Sequence, residues 1–336
     1  MSFAACRTIR SAFAPPRALP DAVGYADPKE LPEEVRRLEK ARDAAPERFD
    51  VRFALGYRYL RLAIAGFTGL TNKAIAELEA AVKLEPKHDQ AVGDLVQAYM
   101  LGMTRNDEEA TLKCAAMSEH VKQMDPAPWR ETTRVSAALC KVVYEGAFDN
   151  DPFDFKDRLA ELEEEAAEGL AFPHPLAQDG TSIIVGPLFA ELPPLLYEGA
   201  RARALHWYER MERSAVEDGF ADPGFKDLAP LFAEAIVLNQ ADLLRILGRR
   251  DRAQERYEEV VLMTAKAPKG SPRDIFRGWA LDGLKRLDEK PDRAEVPHAT
   301  RGELHCLQCH WKTPEEALAP ATGKFTPPLP DDLPPL

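Results

Sequence analysis

The sequence contains no dense run of basic residues and no long, uninterrupted apolar segment. Acidic side chains outnumber basic ones, 56 to 44, and the formal net charge is −12. Binding to a nucleic-acid backbone or to anionic lipid needs clustered Lys and Arg side chains, so we expect no nucleic-acid partner. The most apolar stretch, residues 183–197, is too short for a bilayer and is interrupted by Pro187, Pro193 and Pro194. We therefore predict no transmembrane span.

The sequence also lacks the short motifs of the commonest catalytic sites. It has no glycine-rich phosphate loop, no Gly-x-Ser-x-Gly turn around a nucleophilic serine and no His-Glu-x2-His zinc motif. Asp149 and Asp151 begin like a calcium-binding loop, but Phe153 stands where the next oxygen ligand is required. These absences favour a binding role over an enzymatic one.

Cysteine is scarce, with five residues in 336, yet two of the five belong to one chemically meaningful cluster. Cys306, Cys309 and His310 form a Cys-x2-Cys-His motif, which is the attachment motif of c-type haem. Random placement would produce such a pentad only about 0.001 times per chain, so the spacing indicates a purpose. It predicts haem c, with both thiols as thioether attachment points and the His310 imidazole as a ligand of the iron.

The motif itself does not assign the second axial ligand of the iron. His298 is the nearest suitable imidazole, because His305 adjoins Cys306 and is poorly placed to reach the opposite face of a porphyrin. Zinc is the alternative to haem, since the two thiols, His310 and either His298 or His305 supply four donors for a tetrahedral structural site. A redox-active dithiol is a weaker alternative, because the strand-to-helix context that activates a thiol is missing. A plain disulfide or a coincidental spacing is the remaining alternative.

The body of the chain repeats with a period of 40 residues. Pro46, Pro86 and Pro126 lie at this spacing, and each ends a helical pattern. The residue five positions before each proline is small or branched and apolar, as a close contact between helices requires. Repeated helical hairpins bury a continuous core by stacking on their neighbours. The sequence therefore predicts an all-α fold.

These repeats resemble the tetratricopeptide family. In the second helix of the middle copy, Ala74, Leu78, Ala81 and Pro86 match the family pattern Ala-x3-Phe-x2-Ala-x4-Pro, with leucine in the aromatic position. The first helices of two successive copies fit the family's Leu-Gly-x2-Tyr pattern, at Leu55, Gly56 and Tyr59 and then at Leu95 and Tyr99.

The resemblance implies a solenoid of helical hairpins whose groove binds a partner protein or an extended peptide. Family repeats are about 34 residues long, so a period of 40 implies about six extra residues in each turn within a hairpin, at 66–71 and 101–107. Cys114 and Cys140 fall on apolar stripes of the predicted helices, which indicates buried core thiols.

Composition divides the chain into five parts. Residues 1–28 are predicted to be a disordered or targeting segment, 29–145 the regular repeats, and 146–195 an inserted helix and long loop. Residues 196–287 return to repeat-like hairpins and end in a capping helix, and 288–336 are a loop-rich tail. This tail carries the Cys-x2-Cys-His motif, and its proline-rich end is predicted to be extended.

The N-terminal residues allow more than one location. Three arginines with no acidic residue before Asp21 are typical of a mitochondrial targeting segment. Cys6 follows small residues, as in a lipoprotein signal, so a lipid anchor is expected only if an upstream signal exists. Because haem c is attached outside the bacterial cytoplasm or in equivalent compartments, a haem protein would be periplasmic or extracytoplasmic, with a mitochondrial location as the alternative.

Two functions follow from these patterns. The first is an interaction scaffold that carries haem c on its tail, for electron transfer or another haem-linked role. The alternative is a non-enzymatic adaptor whose tail is held together by structural zinc.

Overall fold

The computed structural model describes residues 30–103, 107–149, 152–172, 185–186, 189–190, 199–213, 229–292, 295, 297, 314–318 and 326–335. These residues form α-helices joined by turns, and this part of the chain contains no β-strand, so the all-α prediction is confirmed. None of the helices described has the length and apolar content to cross a membrane. The chain divides into two compact units. The N-terminal unit contains the helices up to Tyr144 and also the C-terminal residues from His310 onward, and the second unit contains Glu145–Cys309.

The N-terminal unit is a series of antiparallel helices that pack consecutively, as in a solenoid. The helices are α1 (Glu33–Ala44), α2 (Phe49–Ile64), α3 (Thr71–Leu84), α4 (Asp89–Met103), α5 (Glu108–Lys122) and α6 (Pro128–Tyr144). Each helix contacts the next, and α4 also packs against α2 and α6, so these three helices form one layer.

The turns that follow α1 and α3 are the same structure, 40 residues apart. In each turn, the first residue after the helix donates its N–H to the carbonyl of a buried alanine, Ala41 or Ala81, at 2.9 Å. The next residue is Pro46 or Pro86, which has no N–H with which to continue the helix. Pro46 and Pro86 therefore end their helices as predicted, whereas the helix that precedes Pro126 ends four residues earlier, at Lys122.

A second contact is repeated at the same period. The hydroxyl of Tyr59 donates a hydrogen bond to the Glu39 carboxylate, and the hydroxyl of Tyr99 donates one to Glu79 at 2.7 Å. Each tyrosine lies 20 residues after its glutamate, and the two pairs are 40 residues apart. The tyrosines of α2 and α4 thus reach back to the preceding helix in equivalent ways, and the period is a property of the folded chain.

Small residues allow the two helices of a hairpin to approach closely. A Cβ atom on Gly56 would lie 2.7 Å from Cγ of Leu78, and one on Gly102 would lie 2.6 Å from Cβ of Ala110. Both distances are well inside van der Waals contact, so neither position accommodates a side chain without movement. The turn between α2 and α3 contains a short 3₁₀ helix at Thr68–Leu70 and provides part of the predicted extra length.

The second unit begins with a π-helical turn at Glu145–Asp149 and continues as helices that pack in chain order. The helices are α7 (Pro152–Ala171), α8 (Ala200–Glu212), α9 (Ala229–Ile246), α10 (Arg250–Met263) and α11 (Pro272–Lys285). Within this unit α8 packs on α9, α9 on α10 and α10 on α11. The hydroxyl of Ser271 accepts a hydrogen bond from the N–H of Asp274 at 3.3 Å and caps the N-terminus of α11.

Candidate functional site

The structure describes the chain on both sides of the Cys-x2-Cys-His motif. Among the described residues, no group of three His, Cys, Asp or Glu side chains is arranged to hold a metal. The site is therefore defined here by the contacts that fix the chain before and after the motif. All of the predicted ligands lie outside the described residues: Cys306, Cys309, His310, His298 and His305.

Before the motif, the chain is fixed by an ion pair at the buried side chain of Glu295. Its Oε1 accepts hydrogen bonds from Nη2 of Arg245 at 2.6 Å and from Nη1 of Arg286 at 2.9 Å. Burial alone would raise the pKa of Glu295, but the hydrogen bonds from the two arginines hold it below its usual range. Since Arg245 lies in α9 and Arg286 follows α11, one carboxylate joins two helix ends to the chain that leads into the motif.

The Arg245 guanidinium is itself positioned by a buried hydroxyl. Its Nε donates to Oη of Tyr257 at 3.2 Å, and this hydroxyl donates to Oδ1 of Asp242 at 2.6 Å. Burial raises the pKa of Tyr257, and the neighbouring Asp242 carboxylate raises it further, so the phenol stays protonated. A connected polar network therefore runs from Asp242 through Tyr257 and Arg245 to Glu295.

After the motif, the chain packs on the N-terminal unit. A short helix, α12 (Pro314–Leu318), lies against α2, and Ala317 is buried there. Residues 326–335 then form a segment without helix or strand that contains a turn at Asp331 and Asp332. The side chain of Leu333 is buried in the same hydrophobic core. Sixteen residues separate Pro297 from Pro314, and the motif lies among them in the sequence.

The two cysteines predicted to be core thiols are bonded to each other. Cys114 in α5 and Cys140 in α6 are both fully buried, and their sulfur atoms are 2.06 Å apart. Their burial was predicted correctly, but their assignment as free thiols was wrong. Cys114 lies thirteen residues before Ala127, in the turn between the helices, and Cys140 thirteen residues after it. Antiparallel packing brings such symmetric positions opposite each other, so this symmetry is the signal in the sequence that predicts the bond.

Sequence patterns did not reveal a shielded carboxylate in α4. Asp94 Oδ2 is shut off from solvent and has no hydrogen-bonding partner in the described part of the chain. Loss of hydration raises the pKa of Asp94 to about 8, and the positive charge of Arg61 offsets this only in part. The carboxyl is therefore mostly protonated at neutral pH.

Replacement of Asp94 by asparagine is expected to stabilise the protein increasingly as pH rises from about 4 to 8. The folded pKa lies above the unfolded value, so the folded state holds a proton that the unfolded state releases, and stability falls across this window. Asparagine removes this loss, which amounts to at most about 1.4 kcal/mol for each pH unit. The measurement is urea unfolding of Asp94→Asn and wild type at pH 5 and pH 8.

Asp125→Asn is the matched control, because Asp125 is an exposed aspartate of the same unit. Its stability should follow that of the wild type at both pH values. A constant difference between Asp94→Asn and wild type would contradict the assignment of a protonated carboxyl.

No family model, curated protein or solved structure matches the chain. Interpretation of the site therefore depends on its residues, on the disulfide and on the contacts that anchor the neighbouring chain.

Proposed function

We propose that the chain is a tetratricopeptide-type interaction scaffold that carries one covalently attached haem c. Cys306 and Cys309 would hold the porphyrin through thioethers, His310 would bind the iron, and His298 is the candidate for the opposite axial position. A bound haem supplies one-electron transfer, and the helical hairpins supply a surface for a partner protein. The observation that carries this proposal is the Cys-x2-Cys-His spacing.

The disulfide between Cys114 and Cys140 supports haem over zinc. Disulfides persist in oxidising compartments and are rare where thiols are kept reduced. Haem c is attached in compartments of the first kind, whereas a cysteine-containing zinc site needs thiolates that remain reduced. An unmodified pair of thiols at Cys306 and Cys309 would tend to oxidise in the environment that maintains the other bond.

The anchored chain on both sides of the motif supports a defined site. Glu295 is held by two arginines before the motif, and α12 packs on α2 after it. A haem group attached close to a segment that is anchored in its own unit orders fewer residues than one bound on a free end, so less conformational entropy is lost on attachment.

Covalent attachment is tested by producing the protein with export and an active haem maturation system, followed by a denaturing gel stained for haem. We expect the wild-type band to stain, because a thioether survives denaturation. Cys306→Ser/Cys309→Ser should abolish the stain. Cys6→Ser is the matched control for the loss of a cysteine and should retain it.

Two results would contradict the proposal. An unstained band from exported protein that contains one zinc per chain would assign the motif to a structural zinc site. An unstained band without zinc, in which Cys306 and Cys309 are linked to each other, would assign it to a plain disulfide.

A further inference from the structure

The N-terminal unit binds a segment of its own chain that has no helix or strand and that turns at Asp331 and Asp332. Residues 326–335, here called the tail segment, have the sequence Thr-Pro-Pro-Leu-Pro-Asp-Asp-Leu-Pro-Pro and contact α1 and α2. Only Pro327 and Leu333 are buried among its ten side chains. Leu333 enters the hydrophobic core of the unit and is 7% exposed, whereas Leu329 is 37% exposed. A single large apolar side chain therefore anchors the segment.

Basic side chains of α1 and α2 also donate hydrogen bonds to main-chain carbonyl groups of the segment. Arg58 of α2 donates from Nη1 to the carbonyl of Pro327 at 3.4 Å. The Arg37 guanidinium donates from Nε to the carbonyl of Pro334 at 3.1 Å and from Nη2 to that of Leu333 at 3.0 Å. Lys40 Nζ donates to the carbonyl of Pro335 at 2.8 Å. Proline-rich segments favour an extended conformation that forms no internal hydrogen bonds, so their carbonyl groups are free to accept from another surface.

One carboxylate adds selectivity. The two terminal nitrogens of Arg48 donate to the two oxygens of Asp332 at 2.6 and 2.9 Å, which is a paired, fork-like contact. These hydrogen bonds lower the pKa of Asp332 below its usual range. The neighbouring Asp331 is also exposed. The surface thus distinguishes two adjacent acidic positions.

We propose that this surface of α1 and α2 is a binding site for proline-rich segments of a partner protein that carry an acidic residue directly before Leu-Pro. The tail segment is its resident and displaceable occupant. The recognised groups are carbonyls, one carboxylate and one leucine side chain, and any segment of this chemistry presents the same set. A partner competes with a tethered tail, whose effective concentration is high, so binding in trans is strong only when the tail is weakened or removed from the surface. The proposal is independent of haem attachment.

The test uses the full chain and a fluorescent peptide of the tail sequence 326–335 with blocked ends. Leu333→Ala weakens the resident tail by removing its buried anchor, whereas Leu329→Ala removes an exposed leucine four residues away and serves as the matched control. Fluorescence anisotropy should show that the peptide binds the Leu333→Ala chain at least tenfold more tightly than the Leu329→Ala chain. Far-ultraviolet circular dichroism should show the same helix content in both chains.

Selectivity is tested on the Leu333→Ala chain with two peptides of equal charge. The peptide with Asp332→Asn should bind about two- to fivefold more weakly than the peptide with Asp331→Asn, because only the first loses the contact with Arg48. The difference should shrink when salt is added.

Three results would overturn the proposal. Equal affinity of the peptide for the two chains, or no binding to either, would show that the tail does not compete for a peptide site. A loss of helix content in Leu333→Ala but not in Leu329→Ala would show that the tail is needed for the fold of the unit and is not a displaceable occupant. Equal binding of the two asparagine peptides would show that the surface does not recognise the acidic residue.

Discussion

Replacement of Gly283 by alanine is expected to destabilise the second unit by about 3 kcal/mol, at the upper end of the usual range for overpacking. Gly283 lies in α11, and a Cβ atom there would be 2.3 Å from Cζ and 2.4 Å from Cε1 of the Tyr257 ring. The ring is fully buried, and its hydroxyl is bonded to Asp242 and Arg245. The tyrosine therefore cannot move away without breaking the polar network that positions Glu295.

Gly278→Ala, in the same helix, is the matched control. A Cβ atom at Gly278 would meet nothing within 4 Å, so alanine there should stabilise the helix by about 0.5–1 kcal/mol. Urea unfolding followed by circular dichroism should thus show shifts of opposite sign for the two variants. Stabilisation by both substitutions would mean that helix propensity, and not contact with Tyr257, determines the effect.

The features that sequence patterns predicted well are local. Pro46 and Pro86 end helices because a missing N–H acts on the chain at that point, whatever surrounds it. Ala81 is fully buried, because its place on the apolar face of one helix follows from the spacing of neighbouring residues along that helix. The spacing of Cys306, Cys309 and His310 is local in the same way, so the motif could be found without knowledge of the fold.

The features that were missed depend on contacts between distant parts of the chain. Glu295 meets Arg245, 50 residues away, and Asp332 meets Arg48, 284 residues away. No periodicity connects such positions, and the proline-rich tail was predicted to be extended without any indication of the surface that it covers. The shielding of Asp94 likewise results from the packing of whole helices, whereas the sequence shows only an aspartate in a helix.

Reduction of the Cys114–Cys140 disulfide is expected to destabilise the N-terminal unit by about 3.5 kcal/mol. The bond closes a loop between residues 26 apart, and opening it restores the conformational freedom of that loop in the unfolded state. Urea unfolding of exported wild-type protein should therefore shift to lower urea concentration when a phosphine reductant is added. Cys114→Ala/Cys140→Ala should unfold at a lower urea concentration than the oxidised wild type and should not respond to the reductant.

Counting thiols connects this bond to the haem proposal, because thioethers resist a reductant that opens disulfides. In a Cys6→Ser chain, denatured exported protein with haem at Cys306 and Cys309 should offer no thiol to an alkylating reagent, and reduction should release two. A zinc-bound or free pair at the motif would offer two thiols before reduction and four after it. If reduction releases no thiol from Cys114 and Cys140, the bond is absent from the exported protein, and the disulfide no longer supports haem over zinc.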